Sequence, residues 1–173
     1  MSEVVRRFFL RRKERKTFLH RLSETLKMDL GGLLGSKPQI EVIETQRHNI
    51  FLIGGKPLIA ESKEALFPTL SFTQSLSRLP EVVVDMGAVP KICGGADIMA
   101  PGIVEIRGKF EKNSLVVVLD ERNRRPIAVA QSLFDSEYTV VLQRGRTFET
   151  LHYVGDDIWN VIRGLTGNEK VKT

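Results

Sequence analysis

Cysteine and histidine are scarce in this chain. Among its 173 residues there is one cysteine, Cys93, and there are three histidines, His20, His48 and His152. A single cysteine excludes both an intramolecular disulfide and a cysteine-cluster zinc site, and it is typical of an intracellular protein. No two of the histidines have the spacing of metal ligands. The sequence therefore predicts no bound metal, and Cys93 is expected to be a small buried residue of a helix.

Long apolar runs are also absent. No run approaches the roughly 20 residues that a membrane-spanning helix needs. The first residues are too rich in arginine, and too often interrupted by it, to form a secretory signal peptide. The hydrophobic fraction of 42% and the charged fraction of 27% are ordinary for a globular protein. We therefore expect a cytoplasmic protein with no membrane contact.

The sequence contains none of the common catalytic or phosphate-binding motifs. It has no GxSxG nucleophile elbow, and no strand is followed by the GxG-type loop of a methyltransferase or dinucleotide enzyme. Gly54-Gly55-Lys56 resembles the end of a P-loop, but Ile50 stands where that loop needs its first glycine. No pair of acid and base stands out, nor does a nucleophile beside a histidine. We predict no catalytic residue, no cofactor and no enzymatic activity.

Positive charge is in moderate excess. Lysine and arginine number 26 against 21 acidic residues, which gives a net charge of +5 and an isoelectric point near 9.5. This balance permits binding to a polyanion such as a nucleic acid without requiring it. A run of cations lies near the start of the chain and comprises Arg11, Arg12, Lys13, Arg15 and Lys16. The run is either a solvated helix face or a contact with phosphate or ribosomal RNA.

The first 79 residues have the pattern of a small α+β domain. Val4 to Leu10 is a short apolar segment broken by arginines, which predicts an edge strand. From Glu14 onward, apolar residues recur at helical spacing until the glycines that begin at Gly31. Three further apolar runs, separated by turn residues, predict an antiparallel meander of Ile40 to Glu44, Ile50 to Ile53 and Pro57 to Ala60.

The segment Gly31 to Gly35, with the sequence GGLLG, has the glycine spacing of a KH-domain loop. A KH loop carries polar or basic residues at its two central positions, because these face the nucleic-acid backbone. Here both central residues are leucines. The segment therefore predicts a turn with an apolar plug.

The most constrained stretch of the chain runs from Val82 to Ile103. It begins with a buried-strand pattern and continues with Asp85, which can cap a short helix. Gly94 and Gly95 end that helix, and a Pro-Gly pair then leads into the next strand. Glycines let a ligand approach the backbone closely, because no side chain covers the peptide N–H groups. This order of strand, short helix, glycine loop and strand indicates a binding site.

Within this stretch, VDMGAVPKICGGADIMAPGI resembles the opening motif of the PUA domain, in which a VDxGA segment precedes a GADxxxPGI segment. The PUA domain is the RNA-binding module shared by pseudouridine synthases and archaeosine transglycosylases. The flanking residues resemble more narrowly the archaeal and eukaryotic family that includes the malignant T-cell amplified sequence protein. They are Phe67 to Leu70 before the motif, and Leu151 to Tyr153, Asp156, Asp157 and Trp159 after it. The resemblance covers about the last hundred residues, and the first 65 agree in layout only.

The resemblance implies a mostly-β PUA pseudo-barrel after the N-terminal α+β domain. Between Ser136 and Leu142 the residue types favour a strand, but the family layout has a short helix there, and we predict a helix. Proline restrains the residue before it, so Leu79-Pro80 marks the domain boundary. The chain is thus divided into an α+β domain of residues 1–79, a PUA domain with a C-terminal helix of residues 80–167, and a flexible tail of residues 168–173.

The same resemblance implies an RNA site in the groove between the first helix of the PUA domain, the loop after it and the second strand. In domains of this fold the groove contacts a helix end or an unpaired terminus, such as the CCA end of tRNA. The glycines would expose backbone donors, the cations would supply positive charge, and Met99 and Pro101 would pack against a base or ribose. The implied residues are Lys91, Gly94, Gly95, Ala96, Asp97, Met99, Pro101, Gly102, Arg107 and Lys109.

Two places depart from the usual PUA pattern. Many PUA domains carry a Gly-Asp pair before the third strand and a glycine at the end of the fourth, where this chain has Asn113-Ser114 and Ala130. A side chain at Ala130 is expected to narrow the groove. Asp85 and Asp97 are acidic and lie near the glycines, but a cap or turn bond and a loop-stabilising bond explain them without catalysis.

The eukaryotic relatives act in ribosome recycling and re-initiation, and they engage tRNA and the small subunit together with a density-regulated protein. The resemblance therefore implies a non-enzymatic RNA-binding protein of translation that recognises the acceptor end of tRNA or an end of ribosomal RNA. The implied partners are RNA, the small ribosomal subunit and a factor like the density-regulated protein. Two alternatives stay open. One is an accessory subunit that presents RNA to a separate modification enzyme, and the other is a protein-interaction scaffold that uses the N-terminal domain.

Overall fold

The computed structural model describes residues 3–169 of the chain. The chain divides into two compact units, Met1–Ser75 and Leu76–Thr173. The first unit holds a five-stranded sheet with helices, and the second holds a curled six-stranded sheet. The predicted fold class, an α+β domain followed by a mostly-β PUA pseudo-barrel, is confirmed. Within residues 3–169, no helix is both long enough and apolar enough to cross a membrane.

The N-terminal unit is built on an antiparallel sheet whose strands follow one another in chain order. The predicted edge strand and the predicted meander are present, and a further strand extends the sheet. The elements are β1 (Val4–Phe9), α1 (Arg12–Leu26), α2 (Gly31–Leu34), β2 (Ile40–Thr45), β3 (Asn49–Ile53), β4 (Lys56–Glu61), β5 (Leu66–Pro68) and α3 (Thr73–Leu76).

Helix α1 packs one side against the core of this unit. Phe18 and Leu22 lie one turn apart and are buried, and Phe18 stacks on Phe51 of β3 with the ring centroids 4.2 Å apart. At the start of the helix, the carboxylate of Glu14 accepts the backbone N–H of Arg11 at 2.7 Å. This bond satisfies an amide that the helix start leaves without an intrahelical partner. The side of α1 away from the core is exposed.

The prediction of a turn from Gly31 to Gly35 is wrong, because Gly31–Leu34 form the short helix α2. The side chain of Asp29 accepts the N–H of Gly31 at 3.0 Å and so supports the helix start. The N–H of Leu34 donates to the carbonyl oxygen of Leu30 at 2.8 Å, and the helix ends at Gly35, whose φ is +80°. The two leucines of the segment pack against the core, as expected for an apolar plug.

The C-terminal unit contains β6 (Glu81–Val84), α4 (Val89–Ile92), β7 (Ile98–Met99), β8 (Ile103–Arg107), β9 (Leu115–Asp120), β10 (Pro126–Ser132), α5 (Ser136–Thr139), β11 (Arg146–Tyr153) and α6 (Asp157–Glu169). The strands form one sheet in the order β7-β11-β10-β9-β6-β8. Strands β6 and β9 run parallel, whereas β8 pairs antiparallel with β6. Buried side chains from β6, β9, β10 and β11 fill the inside of the curled sheet together with Ile92 and Ile98. The core therefore lies directly behind the stretch that carries the PUA motif.

Helix α5 confirms the helix predicted between Ser136 and Leu142 against the local strand propensity. Ser136 is fixed by two bonds to Phe110, because its N–H donates to the carbonyl oxygen of Phe110 at 2.8 Å and its hydroxyl accepts the N–H of Phe110 at 3.2 Å. The hydroxyl of Thr139 donates to the carbonyl oxygen of Asp135 at 2.9 Å. These contacts outweigh the preference of the residue types for a strand.

Helix α6 begins at Asp157, directly after Asp156. Oδ1 of Asp156 accepts the N–H of Trp159 at 2.8 Å, which caps the first turn. The helix continues to Glu169, so it includes the first two residues of the predicted flexible tail, 168 and 169. Residues 170–173, the rest of that predicted tail, lie outside the described residues.

Candidate functional site

A cavity of about 450 Å³ opens in the C-terminal unit where β6 leads into α4. Its size is within the range of about 300–1,000 Å³ that is usual for small-ligand pockets. One wall is the segment from β6 through α4, and the other is the loop and 3₁₀ helix between α4 and β8. The lining residues are Asp85, Gly87, Ala88, Lys91, Ile92, Ala96, Asp97, Ile98, Met99, Pro101 and Gly102.

The floor of the cavity is apolar and its mouth carries an exposed hydrophobic side chain. Ile92 and Ile98 form the floor and are buried in the core of the unit. Met99 is 49% exposed, and Pro101 is exposed beside it. Met99 and Pro101 thus continue the apolar surface of the floor out to the mouth of the cavity. The cavity therefore suits a flat, partly apolar group such as a nucleobase.

Asp85 shapes the first wall. Its N–H donates to the carbonyl oxygen of Gly102 at 2.9 Å, which ties the two walls together. Its Oδ1 accepts the N–H of Ala88 at 2.8 Å and so supports the turn before α4. Among residues 3–169, Oδ2 of Asp85 has no hydrogen-bond partner. Asp85 thus makes the turn bond that the sequence predicts and keeps one acceptor atom for a ligand.

The second wall is bonded to β11 along its length. Oδ1 of Asp97 accepts the N–H of Thr150 at 2.9 Å, and the hydroxyl of Thr150 donates to the carbonyl oxygen of Ala96 at 2.9 Å. The hydroxyl of Thr147 donates to the carbonyl oxygen of Ile98 at 2.8 Å. Asp97 therefore makes the loop-stabilising bond that the sequence analysis predicts. Because the wall is held before any ligand arrives, binding needs little ordering of the loop.

The glycine amides are already used inside the protein. The N–H of Gly95 donates to the carbonyl oxygen of Ile92 at 2.9 Å, and the N–H of Ala96 donates to that of Lys91 at 3.0 Å. The N–H of Gly94 also donates to Lys91, at 3.1 Å. This is the Schellman arrangement that ends a helix, with Gly95 at a φ of +99°. The expectation that Gly94 and Gly95 offer open donors to a ligand is therefore corrected.

The predicted cations divide into one that lines the cavity and two that do not. Lys91 is exposed and lines it. Arg107 ends β8 and pairs with Glu81, whereas Ile103, at the cavity end of the strand, pairs with Val84. The four steps of strand from Ile103 to Arg107 separate the two ends by roughly 13 Å. Lys109 lies still further along the chain.

Arg107 is also engaged by neighbouring carboxylates. Its Nε donates to Oε1 of Glu105 at 2.7 Å, and this hydrogen bond raises the pKa of the Arg107 guanidinium. The same bond, with a second from Arg124 to Glu105, lowers the pKa of the Glu105 carboxyl. These three groups and Glu81 form a network of paired charges at the surface, on β6, β8 and the turn after β9. Arg107 therefore belongs to that network and not to the cavity wall.

Arg146 is a cation that sequence reasoning missed; it does not line the cavity but pairs with the lining residue Asp97. It is the partner of Met99 in the pairing of β7 with β11, and its guanidinium lies 3.0 Å from Oδ2 of Asp97. Its side chain is 55% exposed. The available signal was the basic segment QRGR from Gln143 to Arg146, which leads into β11. Pairing of strands far apart in sequence brings Arg146 next to Met99 and Asp97, which line the cavity.

The two departures from the usual PUA pattern have different outcomes. Ala130 is fully buried in the core, and the cavity lining within residues 3–169 does not include it. The expectation that its side chain narrows the groove is therefore wrong. Asn113 has a φ of +69°, a conformation that asparagine tolerates better than most residues other than glycine. Asparagine thus meets the backbone requirement where many PUA domains use glycine.

Two family profiles match adjoining parts of the chain. The PUA domain profile matches residues 80–154. A profile described as Domain of unknown function (DUF1947) matches residues 6–75. The first covers the cavity and the curled sheet, and the second covers the N-terminal unit.

Similar proteins span almost the whole chain. An uncharacterised protein of Methanocaldococcus jannaschii is 33% identical over 161 residues, which cover 91% of this chain and 98% of that protein. Translation machinery-associated protein 20 of Saccharomyces cerevisiae is 27% identical over 136 residues, which cover 74% of this chain and 75% of that protein. A crystal structure of a hypothetical protein from Pyrococcus horikoshii matches with a TM-score of 0.75 and 30% identity, over 91% of this chain and 99% of that chain.

These matches confirm the resemblance that the PUA motif and its flanking residues indicate. They extend it to the N-terminal unit, where the sequence agreed in layout only. The chain belongs to the family of PUA-domain proteins that includes translation machinery-associated protein 20 and malignant T-cell-amplified sequence 1.

Proposed function

We propose that this protein is a non-enzymatic RNA-binding protein of translation that holds an RNA end in the cavity of its PUA domain. The observation that carries the proposal is the cavity itself, with a buried apolar floor, the exposed Met99 at its mouth and Lys91 at its side. Family membership with translation machinery-associated protein 20 supports the role in translation. The RNA end is the acceptor end of tRNA or an end of ribosomal RNA.

The charges of the cavity favour a terminal nucleoside inside it over a phosphate. A phosphate group there would meet the carboxylates of Asp85 and Asp97, and like charges repel at short range. A ribose hydroxyl is a hydrogen-bond donor and is suited to Oδ2 of Asp85. The base would pack on the apolar floor against Met99. The preceding phosphates would then lie outside, near Lys91 and the exposed Arg146.

The second wall supports recognition by shape. Its backbone is bonded to β11 through Asp97, Thr147 and Thr150, so the cavity keeps its form without a ligand. A preformed site loses little conformational freedom when it binds. Readout of an unpaired end by stacking and hydroxyl contacts discriminates RNA ends by their geometry more than by their sequence.

Family membership also guides the choice of partners. We propose the small ribosomal subunit and a factor like the density-regulated protein as the setting in which the RNA end is held. The alternative, an accessory subunit that presents RNA to a modification enzyme, would use the same cavity. Co-purification separates the two, because ribosomal subunits support the first function and a modification enzyme supports the second.

Charge reversal at Lys91 tests the proposed site. Lys91→Glu is expected to weaken tRNA binding about tenfold, because it replaces an attraction to phosphate with a repulsion. The thermal midpoint should stay nearly constant, since the side chain is exposed and such changes usually move stability by less than about 0.5 kcal/mol. Fluorescence anisotropy with labelled tRNA measures the affinity.

Lys112→Glu is the matched control, because Lys112 is also exposed and belongs to the same unit but not to the cavity lining. It changes the net charge by the same amount. Equal losses of tRNA affinity in the two variants would mean that the affinity depends on net charge alone and not on the position of Lys91. A folded Lys91→Glu protein that binds normally would remove Lys91 from the site.

A further inference from the structure

The net positive charge of the protein comes from its N-terminal unit. Residues 1–75 contain 13 lysines and arginines against 8 aspartates and glutamates. Residues 76–173 contain 13 of each. The whole net charge of +5 therefore belongs to the unit that does not carry the PUA cavity. Long-range attraction of a polyanion is expected to come from that unit.

The excess is concentrated on one exposed face of α1. At about 100° per residue, Arg12, Lys13 and Lys16 lie within an arc of about 100°, on the side of the helix away from Phe18 and Leu22. All three are exposed. We call Arg12, Lys13 and Lys16 the basic face.

The cations of the basic face differ from those further along α1 in their ion pairing. Within residues 3–169, none of the three forms an ion pair. The nearby carboxylate of Glu14 accepts the backbone N–H of Arg11. Further along the same helix the pattern changes, because His20 pairs with Glu24 and Arg21 pairs with Glu61. The charges are therefore balanced in the second half of the helix and unbalanced in the first.

This placement lowers the stability of the helix. Arg12 and Lys13 occupy the first turn, at the positive end of the helix dipole, where carboxylates are favourable and cations are not. Residues that break a local rule in this way are typical of functional sites. The basic face has no compensating contact in the described part of the chain, which favours a contact with a ligand over a purely solvated face.

The surface beside the basic face is concave. A groove of about 410 Å³ runs along α1 and is lined by Leu10, Lys13, Glu14, Thr17, Phe18, Arg21 and Phe51. Lys13 is the residue of the basic face that borders it, and the stacked rings of Phe18 and Phe51 offer an apolar surface there.

We propose that the basic face of α1 is a second RNA-binding surface, which contacts the phosphate backbone of the RNA whose end occupies the PUA cavity. The inference rests on the proposed function, since it assigns another part of the same RNA. The basic face supplies salt-dependent affinity without sequence readout, and the cavity supplies recognition of the end.

The test compares two triple variants of the full chain. Arg12→Glu/Lys13→Glu/Lys16→Glu reverses the basic face. Lys37→Glu/Lys56→Glu/Lys63→Glu makes the same change in charge at exposed lysines outside α1, in the same unit. Each variant is titrated with tRNA, with and without its 3′ CCA, over a series of salt concentrations.

The basic-face variant is expected to bind tRNA at least about tenfold more weakly near 0.1 M salt, with the slope of log affinity against log salt reduced by about 2. Its preference for the intact CCA end should be kept. Its thermal midpoint should rise by about 1–3 °C, because carboxylates at the helix start are favourable. A higher thermal midpoint together with weaker tRNA binding excludes misfolding as the cause of the weaker binding.

An unchanged slope in the basic-face variant would overturn the inference, and so would equal losses in the two triple variants. If the wild type prefers the CCA end and the basic-face variant binds tRNA as well as wild type, the proposal of a second RNA-binding surface fails and the proposed use of the cavity stands. If the wild type shows no preference for the CCA end, the proposed use of the cavity fails, and the slope of the basic-face variant still reports on α1.

Discussion

Replacement of Gly95 by valine is expected to lower the thermal midpoint of the C-terminal unit by about 10 °C and to abolish binding at the cavity. Gly95 has a φ of +99°, which a β-branched residue adopts only at a cost of roughly 1–2 kcal/mol. A Cβ at this position would also lie 3.1 Å from the hydroxyl of Tyr153. The two effects together correspond to about 2–3 kcal/mol, and each kcal/mol moves the midpoint of a unit this size by about 4 °C or more.

The loss of binding has a geometric cause. Gly95 forms the turn that leads from α4 into Ala96 and Asp97, which line the cavity. If the turn opens, the second wall moves away from β11. Calorimetry and tRNA binding on the same samples measure both effects.

Gly164→Ala is the matched control for Gly95→Val. Gly164 lies inside α6, and a Cβ there would meet no atom within 4 Å. Alanine should raise stability by up to about 1 kcal/mol, because glycine is a poor helix former. A Gly95→Val protein with an unchanged midpoint would contradict the conformation described for the glycine loop.

Asp156→Ala is expected to be the second strongly destabilising change, with a loss of about 3 kcal/mol. The carboxylate accepts the N–H of Trp159 at 2.8 Å through Oδ1 and the N–H of Tyr153 at 3.0 Å through Oδ2. Nδ1 of His152 lies 2.8 Å from the same Oδ2. His152 is fully buried and Asp156 is 10% exposed, so alanine removes a helix cap and leaves polar groups in the interior without their acceptor.

Asp156→Asn provides a graded comparison for this change. The amide has one acceptor oxygen, so it can keep the bond to Trp159 but cannot replace both bonds at Oδ2. In chemical denaturation, the loss of unfolding free energy in Asp156→Asn should lie between zero and the loss in Asp156→Ala. An alanine variant as stable as wild type would show that the junction of β11 and α6 does not depend on this carboxylate.

Local sequence patterns predicted the elements whose residues repeat with a clear strand or helix period. The meander of β2, β3 and β4 follows from apolar runs separated by turn residues, and α1 follows from apolar residues at helical spacing. At Gly31 the same reasoning failed. Two glycines argue against a helix, but the bond from Gly31 to Asp29 and burial of the leucines outweigh that preference.

The helix at Ser136 shows where family resemblance added information. Its residue types favour a strand, and its hydrogen bonds to Phe110 bridge 26 residues of sequence. Such a bond depends on the arrangement of the whole sheet. The residues next to Ser136 in sequence give no sign of this bond. The order of elements shared by a family reflects it, because relatives share the fold.

The candidate site was predicted in part for the same reason. Lys91 and the loop from Ala96 to Gly102 are close in sequence, so the motif located most of the cavity lining. Arg146 lies 49 residues from Asp97, its ion-pair partner, and only the pairing of β7 with β11 brings them together. Arg107 is near the motif in sequence, but the length of β8 carries it away from the cavity.

The central claim is that an RNA end occupies the cavity with its terminal nucleoside inside. The most direct measurement is equilibrium binding of one tRNA in three forms: with an intact 3′ CCA, without it, and with a phosphate on the 3′ hydroxyl. The intact form is expected to bind at least about tenfold more tightly than the other two, because the cavity takes an uncharged end and its carboxylates repel a phosphate. Equal affinity for the three forms, with a steep dependence on salt, would contradict the claim and leave only general attraction to phosphate.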